Sequence, residues 1–226
     1  MAAALVRLGA GSGEGGLLRL IDEEILMPEN LGRHGLGYNH LFQPKAKAMR
    51  EELLRQFPLA RIEAFDGSAQ DYPCLLDSDL VVEATGEEAF SEYVNARWLK
   101  AGRPGAILYV WIKGNGECVQ SLWTDSAEYG CFHCLRLNDP GHHRKERYPL
   151  LKREPRRKTL GCHAFTPYAV SAPLSAVALG IDAINEWLRG DPSPRYRTRC
   201  RESVDVHAVE DANITPLPDC QGCRTT

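Results

Sequence analysis

No stretch of this 226-residue chain approaches the roughly 20 consecutive apolar residues that a membrane-spanning helix needs. The first apolar run, Ala2–Val6, is too short for a secretion-signal core, and its basic residue, Arg7, follows it instead of preceding it. Charge of one sign is not in excess either. Lys and Arg total 27 against 30 Asp and Glu, a net charge of −3, which argues against a general nucleic-acid binder. There is no internal repeat. A chain of this length buries a full core without disulfides. These absences lead us to expect a soluble cytoplasmic protein with reduced thiols and no membrane or nucleic-acid partner. In that setting eight cysteines point to metal or thiol chemistry.

What is present alternates between two periodicities. Leu17–Asp22 is a short, mostly apolar run ending in an acid and predicts a strand. Lys45–Phe57 carries Met49, Leu53, Leu54 and Phe57 at helical spacing, and Pro58 stops it. Ala60–Phe65 and Asp79–Thr85 predict strands, and Phe90–Ala101 a helix. Ala106–Ile112 and Val119–Trp123 predict a strand pair joined through Gly114-Asn115-Gly116. Leu174–Leu188 predicts a further helix, with Leu174, Val177, Ala178, Ile181 and Leu188 on one stripe. The expected fold is a single α/β domain over 1–226: a Rossmann-like, mainly parallel sheet with helices on both faces. Asn138–Leu160 interrupts it with many Lys and Arg and little apolar content. It predicts a solvated, mobile crossover loop, one able to cover an anionic ligand.

Gly11-Ser12-Gly13-Glu14-Gly15-Gly16 matches the dinucleotide fingerprint in letters only. A working fingerprint follows a strand, opens a helix and is answered by an acid about 20 residues later. Here Ala2–Leu8 reads as a helix end, and Asp22 comes too soon for a helix to intervene. The glycines read as a helix-to-strand loop. If Leu17–Asp22 is the second strand of a nucleotide fold, its first strand and phosphate loop are expected before Met1.

Three constellations carry chemistry. Asp22-Glu23-Glu24 ends a strand, where open sheets bind ligands, and a carboxylate there suits ribose hydroxyls. Asn30 and Arg33 follow, then Lys45; Arg33 offers a planar fork for phosphate oxygens and Lys45 a point charge. Lys45 opens a helix, a poor place for a cation, so an anion is expected beside it. A solvated charged loop is the plainer alternative. Second, Cys131-x-x-Cys134 and Cys220-x-x-Cys223 can supply four thiolates to one structural zinc and so staple the C-terminal segment to the body; redox pairs or unliganded thiols remain alternatives. Third, Cys162 stands just after the basic loop, where cations favour a thiolate, although a buried structural cysteine fits equally. Cys74, Cys118 and Cys200 read as ordinary thiols.

Taken in order, LIDEEILMPENLGRHGLG, FQPKAKAM, DLVVEATGE, GCFHC, GCHAFTPY and CQGC resemble the ThiF-like adenylyltransferases, the ubiquitin-activating and sulfur-carrier-activating enzymes. The resemblance runs from about Leu17 to Cys223. It implies that the C-terminal carboxylate of a ubiquitin-like or sulfur-carrier protein attacks the α-phosphorus of ATP and expels pyrophosphate. It further implies Asp22 on the ribose, Asn30 and Arg33 on the phosphates, Lys45 on ribose or phosphate, and Cys162 as an acyl-accepting nucleophile. Zinc, ATP and magnesium are the implied cofactors and substrate, with a homodimer as the assembly and a ubiquitin-conjugating-like domain as a neighbour. Two departures stand out: Gly86 occupies the usual magnesium-binding Asp position, leaving Glu87 or Glu88 as substitutes, and the phosphate loop is not in the chain. A non-catalytic or truncated member serving as a binding or dimerisation module is the competing expectation.

Overall fold

The computed structural model describes residues 1–138, 144–160, 163–201 and 205–224. The chain divides into two compact units, Met1–Leu75 and Leu76–Thr226.

The first unit runs α1 (Ala2–Arg7), β1 (Leu18–Ile21), α2 (Lys45–Gln56) and β2 (Ile62–Phe65). The two strands are parallel, in register from Leu18 opposite Ile62 to Ile21 opposite Phe65. Parallel neighbours need a crossover, and α2 supplies it. Val6, Leu18, Leu53 and Ile62 form the core between helices and strands, with Met49, Leu54 and Phe57 packed against them. The glycine-rich segment is a connection, as its sequence context predicts. At Gly11 (φ +80°) a Cβ would stand 2.8 Å from the Arg61 carbonyl oxygen, and the Gly11 carbonyl accepts the Arg61 N–H at 2.7 Å. That glycine therefore serves close approach to the start of β2.

The second unit contains β3 (Leu80–Glu83), α3 (Glu88–Lys100), β4 (Ala106–Lys113), β5 (Cys118–Thr124), β6 (Arg136–Asn138), β7 (Arg144–Glu146), β8 (Lys158–Leu160), β9 (His163–Phe165), α4 (Ser171–Leu188), β10 (Tyr196–Cys200) and α5 (Gln221–Arg224). Its main sheet has the order β10-β5-β4-β3. β3 and β4 are parallel, β4 and β5 form the expected antiparallel hairpin, and β10 adds antiparallel to β5. One face carries Trp123, which meets Trp187 of α4 at 5.4 Å between ring centroids. The other carries Tyr109 and Trp111, both against Phe132.

Three expectations change. The α4 stripe lies on the wrong side: Leu174 and Leu188 are exposed, while Ala172, Ala176, Leu179, Ala183 and Ile184 are buried. The alanines let the helix approach the sheet closely, with Leu179 and Ile184 beside them, and Leu174 and Leu188 are left outside. Cys118 and Cys200, expected as ordinary reduced thiols, stand opposite each other in register and are joined as a disulfide. The basic stretch is also more tied down than its charge suggests. Leu150 is fully buried, the Lys152 N–H donates to the Asp205 carbonyl at 2.9 Å, and Arg147 donates to the Thr215 carbonyl at 2.9 Å.

Candidate functional site

At the carboxyl end of β1, Asp22, Glu24, His34 and Lys45 come together. The backbone brings them there. The Lys45 N–H donates to the Glu24 carbonyl at 2.8 Å, and Ile25 bridges Pro44, so the start of α2 lies along the segment that follows β1. Lys45 is buried, and its Nζ pairs with the Glu24 carboxylate. The anion that a lysine at this helix start calls for is therefore already in the chain. The sequence places Glu24 in the same acidic constellation as Asp22 but does not single it out as the partner of Lys45.

Asp22 accepts the Glu24 N–H at 2.9 Å. Burial pushes its carboxyl above the ordinary aspartate value, against the opposing pull of that N–H and of the Lys45 charge. His34 accepts the Leu36 N–H on Nδ1 at 3.2 Å. Burial, then the Lys45 charge, holds it below the ordinary histidine value, so it is poised as a neutral imidazole. Asn30 belongs to a 3-10 turn at Pro28–Asn30, and its Oδ1 is engaged by the Met27 N–H at 2.8 Å. Its carbonyl accepts the N–H groups of Arg33 and His34 at 3.0 and 2.9 Å, which sets the loop that carries Arg33. In the second unit, Gly86 is exposed with φ +74°. Glu88 is engaged by Arg136 at 2.6 Å, and Glu87 lies exposed at the N-cap of α3. Cys162 lies outside the described residues.

The two Cys-x-x-Cys pairs do converge. The sulfurs of Cys131, Cys134, Cys220 and Cys223 lie within 4.8 Å of one another, with contacts of 4.0, 3.8, 3.6 and 3.5 Å among them. Four thiolates at about 2.3 Å from a tetrahedral zinc stand about 3.8 Å apart, so the cluster matches a metal-sized cage. It is assembled from three places: the Phe132 N–H donates to Asn95 of α3 at 3.1 Å, the Gly130 N–H to the Ile214 carbonyl at 2.7 Å, and the Leu217 N–H to the Cys134 sulfur at 3.4 Å. Crowding splits the thiols. Hydrogen bonding with Cys134 first, then Cys220, raises Cys131, while hydrogen bonding with Cys131 lowers Cys220. A divalent cation would take the place of those shared protons.

Between the sheet and the Phe132–Tyr148 segment lies a cleft of about 130 Å³ walled by Trp111, Phe132, Tyr148 and Tyr196. Gln120 at its floor donates to the Tyr196 hydroxyl and keeps a buried Oε1 with no partner. Lys113 and Arg136 both pair with Glu146 at the rim. Burial pushes Glu146 up, but those two cations outweigh it and hold the carboxyl below its usual value.

No protein-family model matches the chain. It is 33% identical over 223 residues to the ATP-dependent ubiquitin transferase-like protein Cap2 of Pseudomonas aeruginosa (strain BWHPSA011 / Pa011), covering 98% of this chain and 40% of that protein. Against the Cap2 protein of Escherichia coli (strain TW11681) it is 27% identical over 232 residues, covering 99% and 38%. The chain thus spans about two fifths of the length of these relatives. Among solved structures, E. coli MccB matches with a TM-score of 0.68 at 14% identity over 92% of this chain and 58% of that one. MccB with ATP matches at 0.67 and 15% over 99% and 62%. The fold is related to that of the ThiF-like adenylyltransferases. The strand-end acids and the cysteine pairs through which the sequence resembles them are the features the structure gathers into clusters. No helix among the described residues is long and apolar enough to cross a membrane.

Proposed function

We propose that this chain is the adenylation portion of an ATP-dependent enzyme that activates the C-terminal carboxylate of a ubiquitin-like or sulfur-carrier protein. The observation that carries the reading is the cluster of Asp22, His34 and Lys45 at the carboxyl end of a parallel strand, in a fold that matches MccB with ATP. Carboxylate attack on the α-phosphorus accumulates charge on phosphate oxygens, and pre-placed cations stabilise it. Arg33 and Lys45 are the cations we assign to this, with Asp22 on the ribose hydroxyls and Asn30 orienting the loop and the phosphates. Magnesium would supply further positive charge to such chemistry, and in the second unit Glu87, exposed beside Gly86, is the acid we assign to holding it. In the second unit, the aromatic cleft over Gln120 suits an extended peptide: the buried Oε1 asks for an N–H donor.

The activated acyl group then passes to Cys162, the role we assign to that thiol from its place after the cation-rich segment. Zinc is the metal that suits the four-cysteine cage. Its role is structural, because four protein sulfurs leave no open position for a substrate. MccB is solved with MccA peptides, and the Cap2 name is ubiquitin transferase-like; both support a small protein or peptide as co-substrate. We assign the reaction to the cytoplasm, where ATP is supplied, with a homodimer as the assembly and a ubiquitin-conjugating-like domain as the neighbour.

The test is ATP–pyrophosphate exchange by the full-length protein that contains this chain, with candidate ubiquitin-like proteins as co-substrate. Exchange that depends on the co-substrate and falls about 10²–10³-fold in Arg33→Ala supports the reading. Exchange indifferent to Arg33 removes that residue from the site.

A further inference from the structure

We propose that residues 152–158 form a pre-organised docking strip for an acidic segment of a partner protein. The inference does not depend on the adenylation chemistry proposed above. Lys152, Arg153, Arg156, Arg157 and Lys158 surround a single acid, Glu154, and all six are exposed. The chain as a whole carries a net charge of −3, so the strip is a cationic island on an otherwise acidic molecule. Arg153 meets Asp205 at 3.0 Å, yet its side chain remains 77% exposed. Among the described residues, Arg156, Arg157 and Lys158 meet no acidic side chain.

Like charges in succession repel, and a free chain relieves that repulsion by moving. This run is held at both ends instead. Leu150 is fully buried and its carbonyl accepts the His207 N–H at 2.7 Å. Leu151 bridges Val206, and the Lys152 N–H donates to the Asp205 carbonyl at 2.9 Å. At the other end, the side chain of Asn115, from the tip of the β4–β5 hairpin, takes both backbone groups of Arg156. Its Nδ2 donates to the Arg156 carbonyl at 2.8 Å, and its Oδ1 accepts the Arg156 N–H at 2.8 Å. The same Nδ2 donates to the Pro167 carbonyl at 2.8 Å. Lys158 then enters the β8–β9 ladder opposite Phe165. The hairpin itself does not need the Asn115 side chain, because the Gly116 N–H on the Lys113 carbonyl at 3.2 Å closes the turn. An amide suits the grip, since it offers donors and an acceptor at one place. A backbone fixed beforehand loses less freedom on binding, which is what a docking strip needs.

The chemistry of the strip and its surroundings selects the partner. Three of the five cations are arginines, whose planar forks match carboxylates with two bonds at a time. Phosphates fit the same forks, so the surroundings decide. A nucleic acid carries charge along its whole length and would run off the strip onto an acidic chain. Single strands also need exposed aromatic side chains on which bases stack. Among the side chains described in Leu76–Thr226, no aromatic is exposed. A short run of Asp and Glu places its charge over the strip alone.

The probe is a fluorescein-labelled hexaglutamate peptide, titrated with the chain at low ionic strength and read by fluorescence anisotropy. The wild type should bind it, and binding should weaken as added salt shortens the reach of exposed charges, to about 10 Å at 0.1 M. R156E/R157E/K158E should lower the affinity about tenfold or more, and R156Q/R157Q/K158Q, which only neutralises the strip, by less. An equal reversal of exposed cations elsewhere, R7E/R55E/K100E, should change it by less than about threefold. Asn115→Ala leaves the net charge untouched and should lower the affinity about three- to tenfold, while hydrogen exchange at the Arg156 amide rises about tenfold or more. Each variant is compared at a temperature where its circular dichroism matches that of the wild type. A wild type that does not bind hexaglutamate overturns the proposal. If the distant reversal costs as much as the reversal on the strip, net charge alone drives binding and the strip is not a site. If Asn115→Ala binds like the wild type, the strip is not pre-organised and the proposal fails. If a thymidine oligonucleotide of the same charge binds as tightly as hexaglutamate, the strip reads phosphate and the assignment to a protein partner is wrong.

Discussion

Lys45 and Glu24 form an ion pair in which the lysine side chain is 9% exposed and the glutamate 67%. The cation is thus sunk in the fold, while its counter-charge faces solvent. On the function proposed above, a ligand phosphate would replace the Glu24 carboxylate without uncovering Lys45. Because one partner is solvated, the pair behaves nearer to a surface bridge than to a buried one. We expect Glu24→Gln to destabilise the fold by about 1 kcal/mol. Urea unfolding at neutral pH measures it. A loss above about 3 kcal/mol would instead mark a fully desolvated pair.

Asp22 carries a different sign. Burial raises its folded-state value above the ordinary 3.8, so its stabilising contribution belongs to the protonated form. That contribution is present below the unfolded value and is lost as pH rises through the raised folded value. At neutral pH the ionised carboxylate is a cost, offset only when something donates to it. Asp22→Asn should therefore stabilise the ligand-free chain at pH 7, with the gain vanishing below about pH 3.8. Unfolding curves at several pH values test this. A variant destabilised at pH 7 would show that the attraction of Lys45 outweighs burial.

His34 adds acid sensitivity. Its folded value is lowered from 6.5, first by burial and then by Lys45. Its contribution is full above the unfolded value and is lost as pH falls from there toward the lowered folded value, where the unfolded chain takes up a proton first. Stability should drop as pH falls below about 6.5. His34→Gln should flatten that part of the profile in thermal melts from pH 7.5 to 5. An unchanged slope would assign the dependence to other groups.

The Cys118–Cys200 disulfide closes a loop with a sequence separation of 82 residues. Restricting the unfolded chain in this way is worth about 2–4 kcal/mol. Reducing the protein, or replacing both cysteines by Ser, should lower the unfolding free energy by about that amount, as measured in urea with and without reductant. Equal midpoints would mean that the bond does not form in solution.

Much of this architecture is legible in the sequence, because local signals and tertiary contacts agree. The Gly114-Asn115-Gly116 turn, the Pro58 stop and the acid-tipped Leu17–Asp22 run all mark their elements. What stayed hidden depends on contacts distant in sequence. Cys118 and Cys200 carry no spacing pattern, since cross-strand register alone makes them neighbours. The buried face of α4 is set by how closely a sheet lets a helix approach, so Ala172, Ala176 and Ala183 go inside while a periodicity weighted by side-chain size pointed to Leu174 and Leu188. Leu150 is buried within a stretch whose average is dominated by charge. The four-cysteine cluster was readable because each half is a local motif, and only their meeting needed the fold.

That meeting gives the last prediction. The tail enters the cluster through Cys220 and Cys223, and its other ties nearby include the Gly130–Ile214 backbone bond, Arg147 on the Thr215 carbonyl, the Leu217 N–H on the Cys134 sulfur and Asn138 on Asp219 at 2.9 Å. Structural zinc contributes about 10–16 kcal/mol of apparent binding energy in small zinc peptides, so even a fraction of that dominates these contacts. Protein purified without added metal should contain about one zinc per chain, released by a mercurial and read with a chromogenic chelator. Cys220→Ser should lower the metal content, expose the tail to limited proteolysis after residue 214, and reduce the melting temperature by about 10 °C if about 3 kcal/mol is lost. The loss should reach the body of the unit, because Cys131 and Phe132 are held against Asn95 of α3, and Phe132 packs on Tyr109 and Trp111 of the sheet. A metal-free protein with the same melting temperature and the same proteolytic pattern would leave the four cysteines as a hydrogen-bonded thiol cluster without a staple.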